Sequence, residues 1–446
     1  MNGPLLSDNH AQSGPSSSPP GPQDGFSVAQ DGLQISVWTV FRVFLKLGLT
    51  SFGGPVAHLG YFRNEFVERR KWFGDQAYAQ LVALCQFLPG PSSSQVGMGI
   101  GLAKAGYAGC LAAWIGFTLP STIAMILIGL GHSLLNQGLA YGLLSGIKLV
   151  VVAVVAHALW GMARSLCPDN PRATIAGLVA AFMLSAGSGL GIWGQLVAVL
   201  LAGFAGWGLR LGRSEATAVS NTCEGLEFQT RQVNGAAGLF WLGLFTLLST
   251  GLPLLNWWTD GEFLVRLADA YFRAGAMVFG GGHVVLPVLQ SQVVTPGWVS
   301  NESFLLGYGA AQAMPGPLFA FAGFLGAATS VPAGLVENFS SPWAMISLGL
   351  FALFFIFLPS FLLLAGSLPF WQSIQRLPSL QSVFQGVNAA VVGLLFAAFY
   401  DPVLTTAVTW SLDLAISLLF FLALVYWKWP AWLVVAFGGL VGVAFL

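Results

Sequence analysis

Two Pro-Gly-Pro (PGP) motifs have the residue types best suited to forming a binding site in this chain. Residues 88–94 read LPGPSSS and residues 314–317 read MPGP. A proline on each side of a glycine removes two backbone donors and prevents a regular helix from continuing. A helix that begins after Pro91 would direct free N–H groups and the positive end of its dipole towards an anion. The three serines add hydroxyl donors, and because the second motif has none, we expect asymmetric anion contacts.

A tight turn whose serines only cap a helix is the alternative for either motif taken alone. Because the PGP motif occurs in both halves of the chain, we favour the interpretation that it lines a binding site. Two glycine-rich FGG motifs, at residues 52–54 and 279–281, precede the PGP motifs. Glycine permits an unwound or closely approached backbone there, and simple helix-to-helix contact is the alternative.

Three basic residues lie within or near apolar segments, where an unpaired charge is costly and usually functional: Lys46, Lys148 and Arg273. Lys148 has no acidic residue within one helical turn, so a bound anion is a candidate counter-charge for it. For Lys46 and Arg273, a side chain that extends to the membrane surface is the better interpretation. His58 and His283 follow the two FGG motifs at different offsets, and we interpret both as hydrogen-bonding residues, with proton transfer as the alternative.

The composition requires a membrane to cover much of the surface. Of 446 residues, 56% are hydrophobic and only 8% are charged, and the mean hydropathy is +0.75. A soluble protein keeps roughly a quarter of its residues charged. No Asp, Glu, Lys or Arg occurs within residues 105–147, 173–209, 232–259, 303–335 and 338–375. Each interval can hold one or two helices of about 20 residues, and none alternates as outer-membrane strands do.

The apolar segments predict about thirteen helical spans, including some that enter the membrane without crossing it. They lie near residues 37–60, 76–103, 107–131, 141–163, 173–189, 190–211, 236–257, 265–289, 303–330, 342–367, 382–400, 404–427 and 429–446.

The second half of the chain repeats the signals of the first half in the same order. The FGG motifs are offset by 227 residues, and Trp72 and Gln86 have counterparts at Trp298 and Gln312, each offset by 226. A Leu-Pro-Ser sequence follows in each half, at residues 119–121 and 358–360, and Lys148 corresponds to Asn388. These matches, all in the same order, indicate internal duplication, which is typical of secondary transporters.

Loop charges predict that the two repeats have opposite orientations. The loop after the first span carries four basic residues within positions 63–71, which places it in the cytoplasm. The corresponding residues 290–301 contain no Lys or Arg. We therefore predict an all-α polytopic membrane protein of two homologous, inverted-topology repeats. Each repeat has about six helical segments, with broken or re-entrant helices at the PGP motifs.

Composition also divides the chain. Residues 1–35 are rich in Pro, Ser and Gly and are expected to form a disordered tail. We assign residues 36–212 to the first transport repeat, 213–235 to a polar linker, and 236–446 to the second repeat with an extra leading helix.

Several classes of function are disfavoured. The zero net charge argues against nucleic acid as a partner. The four cysteines show no CxxC spacing and are interpreted as packing residues. No HExxH pair, paired intramembrane acids or His-rich cluster is present, so we expect no metal site, no cofactor and no enzymatic activity.

The motifs together resemble the chromate ion transporter family in its two-domain form. The resemblance rests on SFGGPVAHLGYFRNEFVERRKWFGD and CQFLPGPSSSQVGMGIG in the first half, and on FGGGHVVLPVL and AQAMPGPLFAFAGFLG in the second. It extends from about Trp38 to the last residue. It implies a multi-pass carrier of the cytoplasmic membrane that exports chromate, driven by the membrane gradient, and so confers chromate resistance. Sulfate is the related oxyanion that it implies.

We therefore expect an oxyanion pathway lined by residues of both halves. The candidate residues are Lys46, Phe52, Gly53, Gly54, Gln86, Pro89, Gly90, Pro91, Ser92, Ser93, Lys148, Phe279, Gly280, Gly281, Gln312, Pro315, Gly316 and Pro317. A carrier for sulfate or another oxyanion, and a membrane protein without transport activity, are the alternatives. The sequence leaves open proton coupling or anion exchange, and the oligomeric state.

Overall fold

The computed structural model describes residues 35–131, 139–187, 192–211, 234–279, 285–331, 341–375 and 377–445. The described residues are helical with short connections and contain no β-strand. The predicted tail up to residue 34, most of the predicted linker, Gly280, Gly281 and His283 lie outside these ranges. The predicted all-α class is confirmed.

The helices of the first half are α1 (Val37–Thr50), α2 (Gly54–Arg63), α3 (Asp75–Phe87), α4 (Ser92–Gly131), α5 (Leu139–Leu166), α6 (Asn170–Phe182) and α7 (Ile192–Gly208). Those of the second half are α8 (Gly235–Trp258), α9 (Phe263–Ala276), α10 (Val285–Leu289), α11 (Asn301–Ala313), α12 (Phe321–Ala327), α13 (Pro342–Ser367), α14 (Trp371–Gln375), α15 (Pro378–Ala398), α16 (Thr405–Ala407), α17 (Ser411–Val425) and α18 (Ala431–Phe445).

Four further segments of the described residues are π-helical: Asn64–Arg69, Met183–Gly187, Gln290–Val294 and Phe399–Leu404.

Five helical stretches of the described chain are long and apolar enough to cross a membrane. They are Ser92–Gly131, Gly142–Leu166, Gly235–Trp258, Pro342–Phe370 and Ser379–Ala407. Several such stretches in one chain are typical of a multi-pass membrane protein. Several other predicted spans are instead pairs of shorter helices, because glycine or proline interrupts them.

Side-chain caps hold the starts of four helices. Asp169 accepts a hydrogen bond from Arg172 N–H at the start of α6, and Asn234 accepts one from Ala237 N–H at the start of α8. Ser300 and Ser341 cap α11 and α13 in the same way. Each side-chain oxygen satisfies one N–H group that has no acceptor within its helix.

A sharp break divides α4 into two parts, as the two predicted spans 76–103 and 107–131 required. Gly106 has a φ of +66°, in the left-handed region that favours glycine. The chain bends there so tightly that a side chain on Gly101 would overlap the backbone of Gly109. The first part of α4 therefore starts at the first PGP motif and ends at this bend.

One helix of each half packs against a helix of the other half. In the first half, α5 packs against α18 of the second half, where Gly146 lies against the backbone of Gly438. In the second half, α15 packs against α7 of the first half, where Gly386 lies against the backbone of Ala202. Gly146 and Gly386 are the corresponding glycines beside Lys148 and Asn388. Small residues at both contacts allow the close backbone approach typical of membrane helices.

Candidate functional site

The first PGP motif ends one helix and begins another. Helix α3 ends at Phe87, Gly90 has a φ of +123°, and α4 starts at Ser92. The first backbone bond of α4 runs from Gln95 N–H to Pro91 O at 3.0 Å. The preceding three N–H groups, those of the serines, therefore have no acceptor within the helix. The Gln95 side chain donates from Nε2 to Pro89 O at 2.8 Å and fixes the motif against the helix.

The second PGP motif has the same backbone break but a different continuation. Helix α11 ends at Ala313 and Gly316 has a φ of +98°. A single 3₁₀ turn, Leu318–Ala320, precedes α12 and replaces the serine-rich first turn of α4. Its side chains supply no hydroxyl, so the expected asymmetry in donors is present in the structure.

Each PGP glycine donates a hydrogen bond to the FGG segment of the other half. Gly90 N–H donates to Val278 O at 2.6 Å, and Val278 directly precedes Phe279. Gly316 N–H donates to Ser51 O at 3.0 Å, and Ser51 directly precedes Phe52. We call these two bonds the crossed bonds. They join the two PGP and FGG motifs into one region that requires both halves.

Each PGP glycine also lies against a serine of the opposite half. A Cβ at Gly90 would overlap Ser360 Oγ and would lie 2.8 Å from Gln95 Nε2. A Cβ at Gly316 would lie 2.9 Å from Ser121 Oγ. Ser121 and Ser360 follow Pro120 and Pro359 within α4 and α13. Sequence reasoning matched these serines between the repeats but did not include them among the candidate site residues.

Buried polar atoms without partners among the described residues accumulate in this region. They are Ser51 Oγ, Ser94 Oγ, Gln95 Oε1, Thr118 Oγ1 and Ser360 Oγ. All five side chains are at most 3% exposed. An unsatisfied buried polar group costs about 1–3 kcal/mol, so a concentration of them is unusual unless a ligand or water satisfies them.

The two serines that face the PGP glycines differ in their hydrogen bonding. Ser121 Oγ donates to Thr118 O at 3.0 Å, so its hydroxyl proton is in use. Ser360 Oγ is fully buried and has no partner in the described chain. The free donor therefore lies beside the first PGP motif.

His58 connects the first FGG motif to the start of α4. Its Nε2 lies 3.2 Å from Ser51 O, and its Nδ1 lies 3.3 Å from Ser93 Oγ. Because a carbonyl oxygen only accepts, Nε2 carries the proton, and in a neutral ring Nδ1 accepts from the serine hydroxyl. The ring packs edge-on against Phe117 at 5.2 Å. His58 thus makes the hydrogen bonds that the sequence led us to expect.

The other candidate residues are distributed more widely. Lys46, Gln86 and Gly53 are exposed, and Gln312 and Pro315 are half-buried. Gly53 and Gly54 have φ values of +100° and +78°, as an unwound FGG segment requires. Phe52 packs 6.3 Å from Trp432, and Phe279 packs 6.3 Å from Phe384.

Lys148 is half-buried on α5 and makes no hydrogen bond or ion pair with any described residue. Arg273 differs, because it pairs with Asp269 one helical turn earlier. Of these two intramembrane candidates, Lys148 is the one without a counter-charge in the described chain.

The charged segment after α2 holds two groups of ion pairs, one exposed around Arg63 and one partly buried around Glu65. Arg63 contacts both Glu68 and Asp75, while Arg69 and Arg70 contact Glu65. Burial acts to raise the pKa of Glu65, but the hydrogen bonds and charges of these two arginines outweigh it and lower that pKa. The loop is separate from the crossed bonds.

Comparison with known proteins gives one family and several long relatives. The chromate transporter family model matches the chain twice, over residues 38–207 and 265–443. A chromate transport protein of Pseudomonas aeruginosa is 28% identical over 374 residues, which cover 82% of this chain and 81% of that protein. A chromate transport protein of Cupriavidus metallidurans is 26% identical over 362 residues, covering 80% of each.

An uncharacterized transporter of Methanocaldococcus jannaschii is 25% identical over 402 residues, covering 90% of this chain and 92% of that protein. No solved structure matches the chain. The two matched regions contain the paired PGP and FGG motifs, the crossed bonds and the helices that position them. The chain therefore belongs to the chromate transporter family.

Proposed function

We propose that this protein is a secondary transporter that exports chromate across the cytoplasmic membrane and so confers chromate resistance. Membership of the family and the names of two long relatives support chromate as the substrate. The main support for the proposal comes from the region of the crossed bonds. Buried hydroxyl and amide groups lie there, between the two halves, and have no hydrogen-bond partner among the described residues.

The oxyanion binds beside the first PGP motif in this proposal. Chromate is tetrahedral and doubly charged, so several donors must replace its water shell. The N–H groups at the start of α4 and the hydroxyls of Ser94 and Ser360 supply such donors from opposite halves of the chain. Hydroxyls rotate, so the same groups can follow the anion as it moves.

Alternating access follows from the way the site is divided between the halves. Motion of one repeat against the other changes the distance between Gly90 and Ser360, and with it the access to the anion. Inverted repeats would make the inward-open and outward-open states structurally similar. Sulfate has the same shape and charge, so it is expected to compete for the site.

Uptake of chromate into inverted membrane vesicles tests this function. Vesicles that contain the protein should accumulate chromate with saturation and only while a membrane gradient or an exchange anion is present. Vesicles prepared without the protein are the control and should accumulate little.

Sulfate added outside the vesicles separates the proposal from its alternative. Competition at concentrations well above that of chromate fits a chromate carrier that tolerates sulfate. Saturable sulfate uptake without chromate uptake would contradict the proposal, and so would flux that does not saturate.

A further inference from the structure

A polar cavity lies between the two halves of the chain and shares no residue with the PGP and FGG motifs. Its volume is about 170 Å³, which is enough for a small ion with several waters. Residues of α7, α10 and α15 line it, together with residues of the segments that follow α6, α10 and α15. The proposed chromate pathway leaves this cavity without a role.

Three of the four π-helical segments meet at this cavity. Met183–Gly187, Gln290–Val294 and Phe399–Leu404 each contribute two lining residues. A π-helical turn displaces backbone carbonyls from the regular hydrogen-bond ladder, and such turns are frequent at functional sites. In other transporters, backbone carbonyls that are not engaged in a regular helix coordinate Na⁺.

A buried amide oxygen faces no partner here. Gln195 is only 4% exposed, and its Nε2 donates to Pro287 O at 3.2 Å. Because a carbonyl oxygen only accepts, this bond fixes the amide orientation and leaves Oε1 as the free atom. Gln195 Oε1 is buried and has no hydrogen-bond partner in the described chain.

The charge of the lining favours a cation over an anion. Asp401 is an exposed carboxylate at the edge of the cavity, and its Oδ1 accepts from Thr405 Oγ1 at 3.3 Å. No Lys, Arg or His is among the lining residues that the structure describes. Ser291 donates its hydroxyl to Val288 O, so its oxygen presents only lone pairs to the cavity. A set of neutral oxygens with a single carboxylate suits a hard monovalent cation.

We propose that this cavity is a Na⁺ site in which the Asp401 carboxylate and Gln195 Oε1 are ligands. One carboxylate balances the charge of a monovalent ion, and the free amide oxygen gains a partner. The site is independent of the solute that the protein carries.

Thermal unfolding of the full-length protein in detergent tests the site without any oxyanion. The melting temperature is measured in NaCl, KCl and choline chloride at equal ionic strength. The wild-type protein should be stabilised in a saturable way by Na⁺ and much less by K⁺ or choline.

Two variants and one control identify the ligands. Asp401→Asn should require about tenfold more Na⁺ or more for the same stabilisation, the size expected when one charge-assisted contact is lost. Gln195→Leu should weaken the response in the same direction. Asp260→Asn removes another exposed carboxylate at a helix end and should respond like the wild type.

Absence of a Na⁺-specific response in the wild-type protein would overturn the proposal. An unchanged response in Asp401→Asn would also overturn it, even if Gln195→Leu failed to fold. Neither result bears on the proposal of chromate export, because the melting assay contains no chromate. Failure of chromate uptake in the vesicles likewise does not bear on the proposal of Na⁺ binding.

Discussion

The two PGP motifs have the same backbone conformation but differ in their hydrogen-bond donors. Both motifs bring a glycine with positive φ to the opposite FGG segment through a crossed bond. Behind the first motif lie a full helix with three serines and the unpartnered hydroxyl of Ser360. Behind the second lie a 3₁₀ turn without hydroxyls and Ser121, which is already hydrogen-bonded. The shared backbone conformation indicates a common scaffold, and the different side chains place the free donors of the proposed anion site beside the first motif.

The largest expected difference between the halves is that their corresponding loops lie on opposite sides of the membrane. In a cysteine-free background, Arg70→Cys and Thr295→Cys should be labelled by an impermeant reagent from opposite sides. The physical reason is the uneven distribution of loop charges. Labelling of both positions from the same side would rule out inverted repeats.

Alanine at the two PGP glycines should impair folding, and more so in the first half. A non-glycine residue in the left-handed region costs roughly 1–2 kcal/mol. At Gly90 the new Cβ also overlaps Ser360, whereas at Gly316 it lies 2.9 Å from the Ser121 hydroxyl. We expect Gly90→Ala to lower the melting temperature and abolish transport, and Gly316→Ala to have a smaller effect on both.

Gly60→Ala is the control for this pair, because Gly60 lies within α2 and nothing is within 4 Å of its added Cβ. Equal stability of Gly90→Ala and Gly60→Ala would show that the tight contact with Ser360 has no energetic consequence.

Removal of the two facing serine hydroxyls should separate transport from stability. Ser360→Ala removes an unpartnered buried hydroxyl, so the fold should be unaffected or stabilised. The apparent affinity for chromate should fall by about tenfold, which corresponds to one lost hydrogen bond to a charged group.

Ser121→Ala should instead reduce stability by about 1 kcal/mol or less, because Thr122 still donates to Thr118 O. Its chromate affinity should stay close to the wild-type value. Equal transport defects in both variants would contradict a one-sided site.

The smallest expected effect belongs to Lys148, whose counterpart in the second repeat is neutral Asn388. We propose that Lys148 adds positive charge to the anion pathway, because it has no counter-charge in the described chain. Lys148→Gln should lower chromate affinity several-fold, and Lys148→Arg should be intermediate, since it retains charge with a different geometry. Uptake kinetics at matched abundance provide the measurement, and unchanged affinity and rate for Lys148→Gln would exclude the role.

Sequence predicted the helix breaks well because their causes are local. Proline and glycine determine where α3 ends, where α4 starts and where the first predicted span divides into α1 and α2. The predicted span at 404–427 begins later, at Ser411, because Thr409 and Trp410 N–H groups bind Asp413 and form the start of α17. A helix boundary set by such a capping contact is harder to see in an apolar stretch.

Contacts between the halves could not be predicted in the same way. The Ser51 and Val278 carbonyls that accept the crossed bonds belong to the backbone, so no residue type marks them. Ser360 carries a weak signal, a proline-serine pair repeated in both halves, but its unpartnered hydroxyl is visible only after packing. The cavity proposed to bind Na⁺ is the hardest feature to predict from sequence, because its lining comes from four separate segments of the chain.

The crossed bonds also bear on what a single half can do by itself. Each half contains acceptors and glycine surfaces that only the other half covers, much as one subunit of an obligate dimer depends on its partner. A chain cleaved within residues 213–233 should therefore reassemble when both fragments are made in one cell. Either fragment made alone should be degraded, since its Gly146 or Gly386 surface would have no counterpart.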